Sequence, residues 1–140
     1  MKKFSASAEI KASPEKVWRI LTDAPKYPNW DPGMIKLEGK IALGEKIIMH
    51  AKISPNRTFP TTVSEFVPNR KMVWSTGMPL GLFKDEITFT LVPLASDRVK
   101  FSLEEIFSGL ILPIIGRNIP DMNATLAEFV TGLKAQAEKR

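Results

Sequence analysis

Apolar residues recur at Ile115, Ile119, Met122, Leu126, Phe129, Val130, Leu133 and Ala137 within the last stretch of the chain, Ile111–Arg140. Steps of three and four put them on one face of a helix, with Asp121, Asn123, Thr125, Glu128, Lys134 and Glu138 on the other. A helix from about Asn118 to Glu138 would be roughly 30 Å long, enough to cross the sheet of a small domain. Pro113, Gly116 and Pro120 limit it at its start. A proline in a helix interior costs about 3 kcal/mol, so the main helix is expected to begin near Arg117–Asn118, with Asn118 as its N-cap. Residues 110–116 are then an apolar lead-in of loose or 3₁₀-like form.

Nearly everything before that helix reads as strand. Residues Lys3–Ala12 alternate, with Phe4, Ala6, Ala8, Ile10 and Ala12 on one face. Ser13-Pro14-Glu15 opens a short helix: Ser13 suits the N-cap, Pro14 the first helical position, Glu15 the positive end of the dipole. Val17, Trp18, Leu21 and Ala24 form its apolar side, and it ends before Pro25. Tyr27-Pro28-Asn29-Trp30-Asp31-Pro32-Gly33 cannot continue a regular helix. Its two aromatics suggest a loop that packs down as a plug, with Trp30 sealing the core or facing a pocket. Six strand patterns follow, over Met34–Glu38, Glu45–Ile53, Thr58–Val67, Lys71–Thr76, Leu82–Pro93 and Arg98–Phe107. Short turns join them, which favours a meandering antiparallel sheet. The class is α+β, in the order strand, helix, six strands, helix, and residues 1–140 are expected to form one domain.

Charge and composition remove several functions. The net charge is +5, yet the 20 Lys and Arg are scattered and no basic stripe alternates with aromatics, so no nucleic-acid platform is expected. No apolar run reaches the ~18 residues of a membrane span. Glu9 and Lys11 interrupt what would be the apolar core of a signal peptide, so a cytoplasmic location is expected. The chain has no cysteine and a single histidine, His50, which excludes thiolate chemistry and leaves no metal-ligand set. His50 shares parity with Ile48 and Lys52, opposite Ile47, Met49 and Ala51, and so belongs on the outer face or rim. No phosphate-binding loop is present, and no cofactor is called for.

Two carboxylates stand out by parity. Asp85 shares a face with Phe83, Ile87, Phe89 and Leu91; Glu105 shares one with Val99, Phe101, Leu103 and Phe107. Should those faces line a cavity, the carboxyls point inward, and desolvation raises their pKa into the range of a general acid or base. Both also lie near strand ends, where a bulge or a basic partner would make them structural. Arg57 and Arg117 are available as anion partners. Trp30, Trp74, Phe83, Phe89, Phe101 and Phe107, with Met49, Met72, Met78 and Met122, suit a flexible apolar pocket and a filled core alike.

Several words in the chain carry a resemblance: Ser13-Pro14-Glu15-Lys16-Val17-Trp18, Leu21-Thr22-Asp23, Tyr27-Pro28-x-Trp30-Asp31-Pro32, Glu65-Phe66-Val67-Pro68-Asn69-Arg70 and Val73-Trp74. With the order of elements, they resemble the polyketide cyclase/dehydrase and lipid-transport-like family of the START-like (SRPBCC) superfamily. The resemblance implies a helix-grip fold: a curved antiparallel sheet around the C-terminal helix, with an apolar cavity between them. It implies binding of a small apolar or aromatic ligand, lipid or polyketide-like, in that cavity. Trp30, Met49, Trp74, Phe83, Phe89, Phe107, Met122, Leu126 and Phe129 are the candidate walls, and the lead-in 110–116 is a candidate entrance gate. The enzyme alternative is a cofactor-free cyclase or dehydratase using Glu105 or Asp85. A third is a protein-interaction module, as in relatives resembling activators of a heat-shock ATPase, with the apolar loop Gly77–Gly81 as the contact. The glycine-rich loop of plant pathogenesis-related relatives and the Cys and His ligands of Rieske-type relatives are absent from this sequence.

Overall fold

The computed structural model describes residues 1–139; Arg140, the last residue of the C-terminal stretch, lies outside the described residues. Seven antiparallel strands form one curved sheet: β1 (Lys2–Ile10), β2 (Met34–Glu38), β3 (Lys46–Ala51), β4 (Phe59–Val67), β5 (Lys71–Met78), β6 (Phe83–Ala95) and β7 (Arg98–Ser108). Their spatial order is β1-β7-β6-β5-β4-β3-β2. The meander from β2 to β7 pairs neighbour with neighbour, and β1 closes on β7. Register shifts between Met34 and Lys36, Val63 and Glu65, and Pro93 and Ala95 mark irregularities that bend the strands. This is the helix-grip arrangement expected of an α+β chain in this order.

Helix α1 (Pro14–Leu21) starts as its sequence dictates, with the Ser13 hydroxyl accepting from Lys16 N at 3.1 Å. It stops earlier than Pro25 requires. Ala24 instead opens a 3₁₀ segment, Ala24–Asn29, and Tyr27 inside it donates its hydroxyl to Leu21 O at 2.6 Å. That bond fixes the plug against the end of α1.

The expected start of the long helix is corrected. Residues Leu112–Ile115 form a single helical turn, α2, and Gly116–Asn118 a 3₁₀ turn. The main helix, α3, spans Asn123–Ala137 and begins five residues after Asn118. Pro120 is the cause: it forces the residue before it out of helical geometry, and Ile119 is extended at φ −84° and ψ 118°. Asp121 then takes the capping role, its Oδ1 accepting from Asn123 N at 2.9 Å.

Helix α3 lies along β1 and β7, with its C-terminal half against α1. Three bonds set its direction. Asn123 Oδ1 accepts from Ser5 N, Lys134 Nζ donates to Glu9 O, and Glu138 Oε2 accepts from Lys11 N. The start of α3 therefore lies beside the start of β1. Leu126, Phe129, Val130, Leu133 and Ala137 are buried beneath it, as the three-four spacing requires.

Candidate functional site

The inner face of the sheet is ordered in rows. One row runs Phe4–Glu105–Ile87–Trp74 across β1, β7, β6 and β5; the next, toward the end of the sheet, runs Lys2–Phe107–Asp85–Thr76. Asp85 and Glu105 are diagonal neighbours on adjacent strands, and both point inward. Glu105 is 4% exposed. Asp85 is half-buried, and its Oδ1 is buried without a hydrogen-bond partner among the described residues.

Their surroundings are apolar. The Phe107 ring meets that of Phe4 edge-on at 6.0 Å and stacks on that of Phe83 at 6.0 Å. Lys2 is the cation of that row, but its Nζ donates to Gly116 O at 2.7 Å. Burial pushes Asp85 up to about 6, tempered by the Glu105 carboxyl beside it. Burial pushes Glu105 higher still, to about 9, and the negative charge of Asp85 adds to the rise. Both carboxyls are held above the ordinary carboxylate range, so the pair retains a proton that isolated carboxylates would have released. The arrangement can donate one hydrogen bond and accept others within an apolar setting.

The candidate wall residues divide into two groups, with Met49 apart from both. Trp30, Trp74, Phe89, Leu126 and Phe129 are in the packed core. There the rings interlock: Trp30 on Phe129 at 4.9 Å, Trp74 on Phe89 at 4.6 Å, Tyr27 on Trp30 at 4.6 Å, Phe101 on Phe129 at 6.2 Å. This half of the grip is filled by side chains. Phe83 and Met122 are half-buried toward the end of the sheet where the acidic pair lies, and Phe107 is buried beside them. Met49 is half-buried on β3, far across the sheet. His50 is at the rim, its Nε2 2.9 Å from Glu38 Oε2. Arg57 sits 6.0 Å over the Phe59 ring, and Arg117 is exposed in the lead-in. Neither contributes to the acidic pair.

A family model described as "Polyketide cyclase / dehydrase and lipid transport" matches residues 1–138. The chain belongs to this family. No curated protein matches the sequence closely enough to count as a relative. Among solved structures, the chain is similar to a START superfamily protein from Mycobacterium smegmatis, at 20% identity and TM-score 0.75, covering 97% of each chain. It is similar to the Zhui aromatase/cyclase from Streptomyces sp. R1128, at 13% identity and TM-score 0.78, covering 99% of this chain and 94% of that one. It also resembles a truncated norcoclaurine synthase from Thalictrum flavum, at 16% identity and TM-score 0.74, covering 99% and 94%. At these identities the likeness is one of fold.

Within the polyketide cyclase and lipid-transport family scaffold, two residues here escape a parity reading. Asp31 is buried, accepts from Gly33 N at 3.0 Å, and is pushed up to about 6 by burial. It sits in a proline-rich loop, where strand alternation gives no orientation. Gly132 is where α3 meets that loop: a Cβ there would land on the Trp30 carbonyl oxygen. Its signal was its position as the one glycine of an otherwise good helix.

Proposed function

We propose that this protein binds a small, mainly apolar or aromatic molecule, lipid or polyketide-like, that carries a hydroxyl or carbonyl group. The polar group meets Asp85 and Glu105, and the apolar body lies against Phe4, Phe83, Ile87, Phe107 and Met122. One observation carries this reading: two neighbouring inward carboxyls on apolar strand faces, with Asp85 Oδ1 buried and without a hydrogen-bond partner among the described residues. Buried polar atoms are nearly always paired, and an unpaired one among apolar side chains fits a site that a ligand completes. Affinity comes mainly from apolar burial, at about 25 cal/mol per Å², less the cost of association.

The probe we choose is 1-naphthol, titrated by isothermal calorimetry. Wild type is expected to bind it one to one, and Asp85→Asn with Glu105→Gln to weaken it about ten-fold, roughly the value of one hydrogen bond to a charged group. Equal affinity in wild type and double variant contradicts the reading. Native mass spectrometry of the purified protein should also find a co-purified apolar ligand.

A second reading has its own observation: two inward carboxyls lie diagonally on adjacent strands and titrate as a pair, in two steps above the ordinary carboxylate range. Paired groups pushed apart in this way suit opposite proton-transfer roles. Asp85 would take a proton from the carbon next to a substrate carbonyl. Glu105 would give one to a departing hydroxyl, so that water leaves. Single variants separate the readings: in an enzyme, Glu105→Gln abolishes turnover while leaving binding within a few-fold.

A further inference from the structure

We propose that the end of the molecule built from loop 78–82 and segment 109–117 docks onto an anionic lipid surface. The two segments are one structural unit. Leu110 N donates to Gly81 O at 3.1 Å and Ile111 N to Leu82 O at 2.9 Å. Gly109, at φ +122°, permits the approach, since a Cβ there would collide with Leu82 and Phe83 backbone.

Large apolar side chains crown this unit and face outward. Leu80 is 89% exposed, Ile114 76%, Leu110 73% and Met78 51%. Scattered exposed apolar residues need no explanation, but a cluster on two bonded loops marks an interaction surface. Leu80 adds an independent observation. Its φ is +62°, a conformation that glycine or asparagine adopts readily and a bulky residue resists. A leucine that is both strained and solvated contributes little to the fold, which points to a partner outside it.

Charge selects the partner. Beside the crown is a pocket of about 390 Å³, lined by Met1, Leu112 and Pro113 with Lys2 and Arg117. Among the described residues neither cation pairs with a carboxylate; Arg117 is exposed, and Lys2 holds Gly116 O through its Nζ. Lys84 stands on the outer face of β6 near the same end, paired with Glu86 at 3.5 Å. Exposed apolar side chains beside basic ones are the pattern of a protein that lies on a membrane interface. The apolar groups enter the headgroup boundary while the cations meet anionic headgroups. No helix among the described residues is long and apolar enough to cross a membrane, so the contact is a docking and not a span.

Vesicle co-sedimentation tests it, comparing phosphatidylcholine vesicles with vesicles about a third phosphatidylglycerol. Wild type is expected to bind the anionic vesicles and to release at high salt. Leu80→Asn with Ile114→Asn should weaken binding about ten-fold with no loss of thermal stability. Arg117→Gln should weaken it about five-fold, the effect of one basic residue near the surface. Arg98→Gln, the same loss of charge at the far end of β7, should leave it within about two-fold. Several results overturn the proposal: no vesicle binding, equal binding to neutral vesicles, equal losses from Arg98→Gln and Arg117→Gln, or an unchanged apolar double variant. Sedimentation velocity showing a dimer that the double variant dissolves would also overturn it, by assigning the patch to a second copy.

Discussion

Glu105 bears on stability as well as on the binding proposed. Its carboxyl and that of Asp85 are raised above their unfolded values by burial, so between about pH 4 and pH 9 the folded chain holds protons that the unfolded chain has released. Stability contributed by the pair is therefore full below about pH 4 and is lost as pH rises through 6 and then 9. The melting temperature should fall from pH 5 to pH 9, and Glu105→Gln should flatten that fall. At pH 8 the variant should gain at least about 1 kcal/mol, since each unit of pKa shift is worth about 1.4 kcal/mol. A melt series in matched buffers reads both effects. Parity in two strand patterns was sufficient to find these carboxyls, because a period of two leaves only two directions for a side chain. Their proximity was not legible, since it depends on the register of β6 against β7. Asp31 was missed for the opposite reason: a loop has no period.

At the scale of elements, the caps and the close contacts decide. Ser13→Ala removes the acceptor for Lys16 N and should cost about 1 kcal/mol, read from chemical denaturation. Gly132→Ala sets two effects against each other. Helix propensity favours alanine by about 1 kcal/mol, but the new Cβ would occupy the position of the Trp30 carbonyl oxygen, a backbone atom that cannot swing aside. The steric term wins, and the variant should lose about 2 kcal/mol by the same measurement. The α1 start was fully legible because its signals are local. The start of α3 was displaced by five residues, since the same proline that argued against an early helix also keeps Ile119 extended and passes the cap to Asp121.

For the whole molecule, the order of elements and the family words yielded the helix grip, but not whether the grip is open. Phe89, Trp74 and Phe129 sit at positions that suit a pocket wall and a solid core equally, and pattern records direction, not vacancy. In the structure, rings fill the half of the grip nearest α1 and the plug, and the acidic pair lies toward the other end. The room for a ligand, and with it the function proposed, depends on that pair being desolvated and inward. Carboxyl-carbon NMR of Asp85 and Glu105 across pH 4–10 tests this most directly. Two coupled steps are expected, near 6 and near 9, both well above the ordinary carboxylate range. Titration of both groups near pH 4 would mean that water already solvates them, and would contradict it.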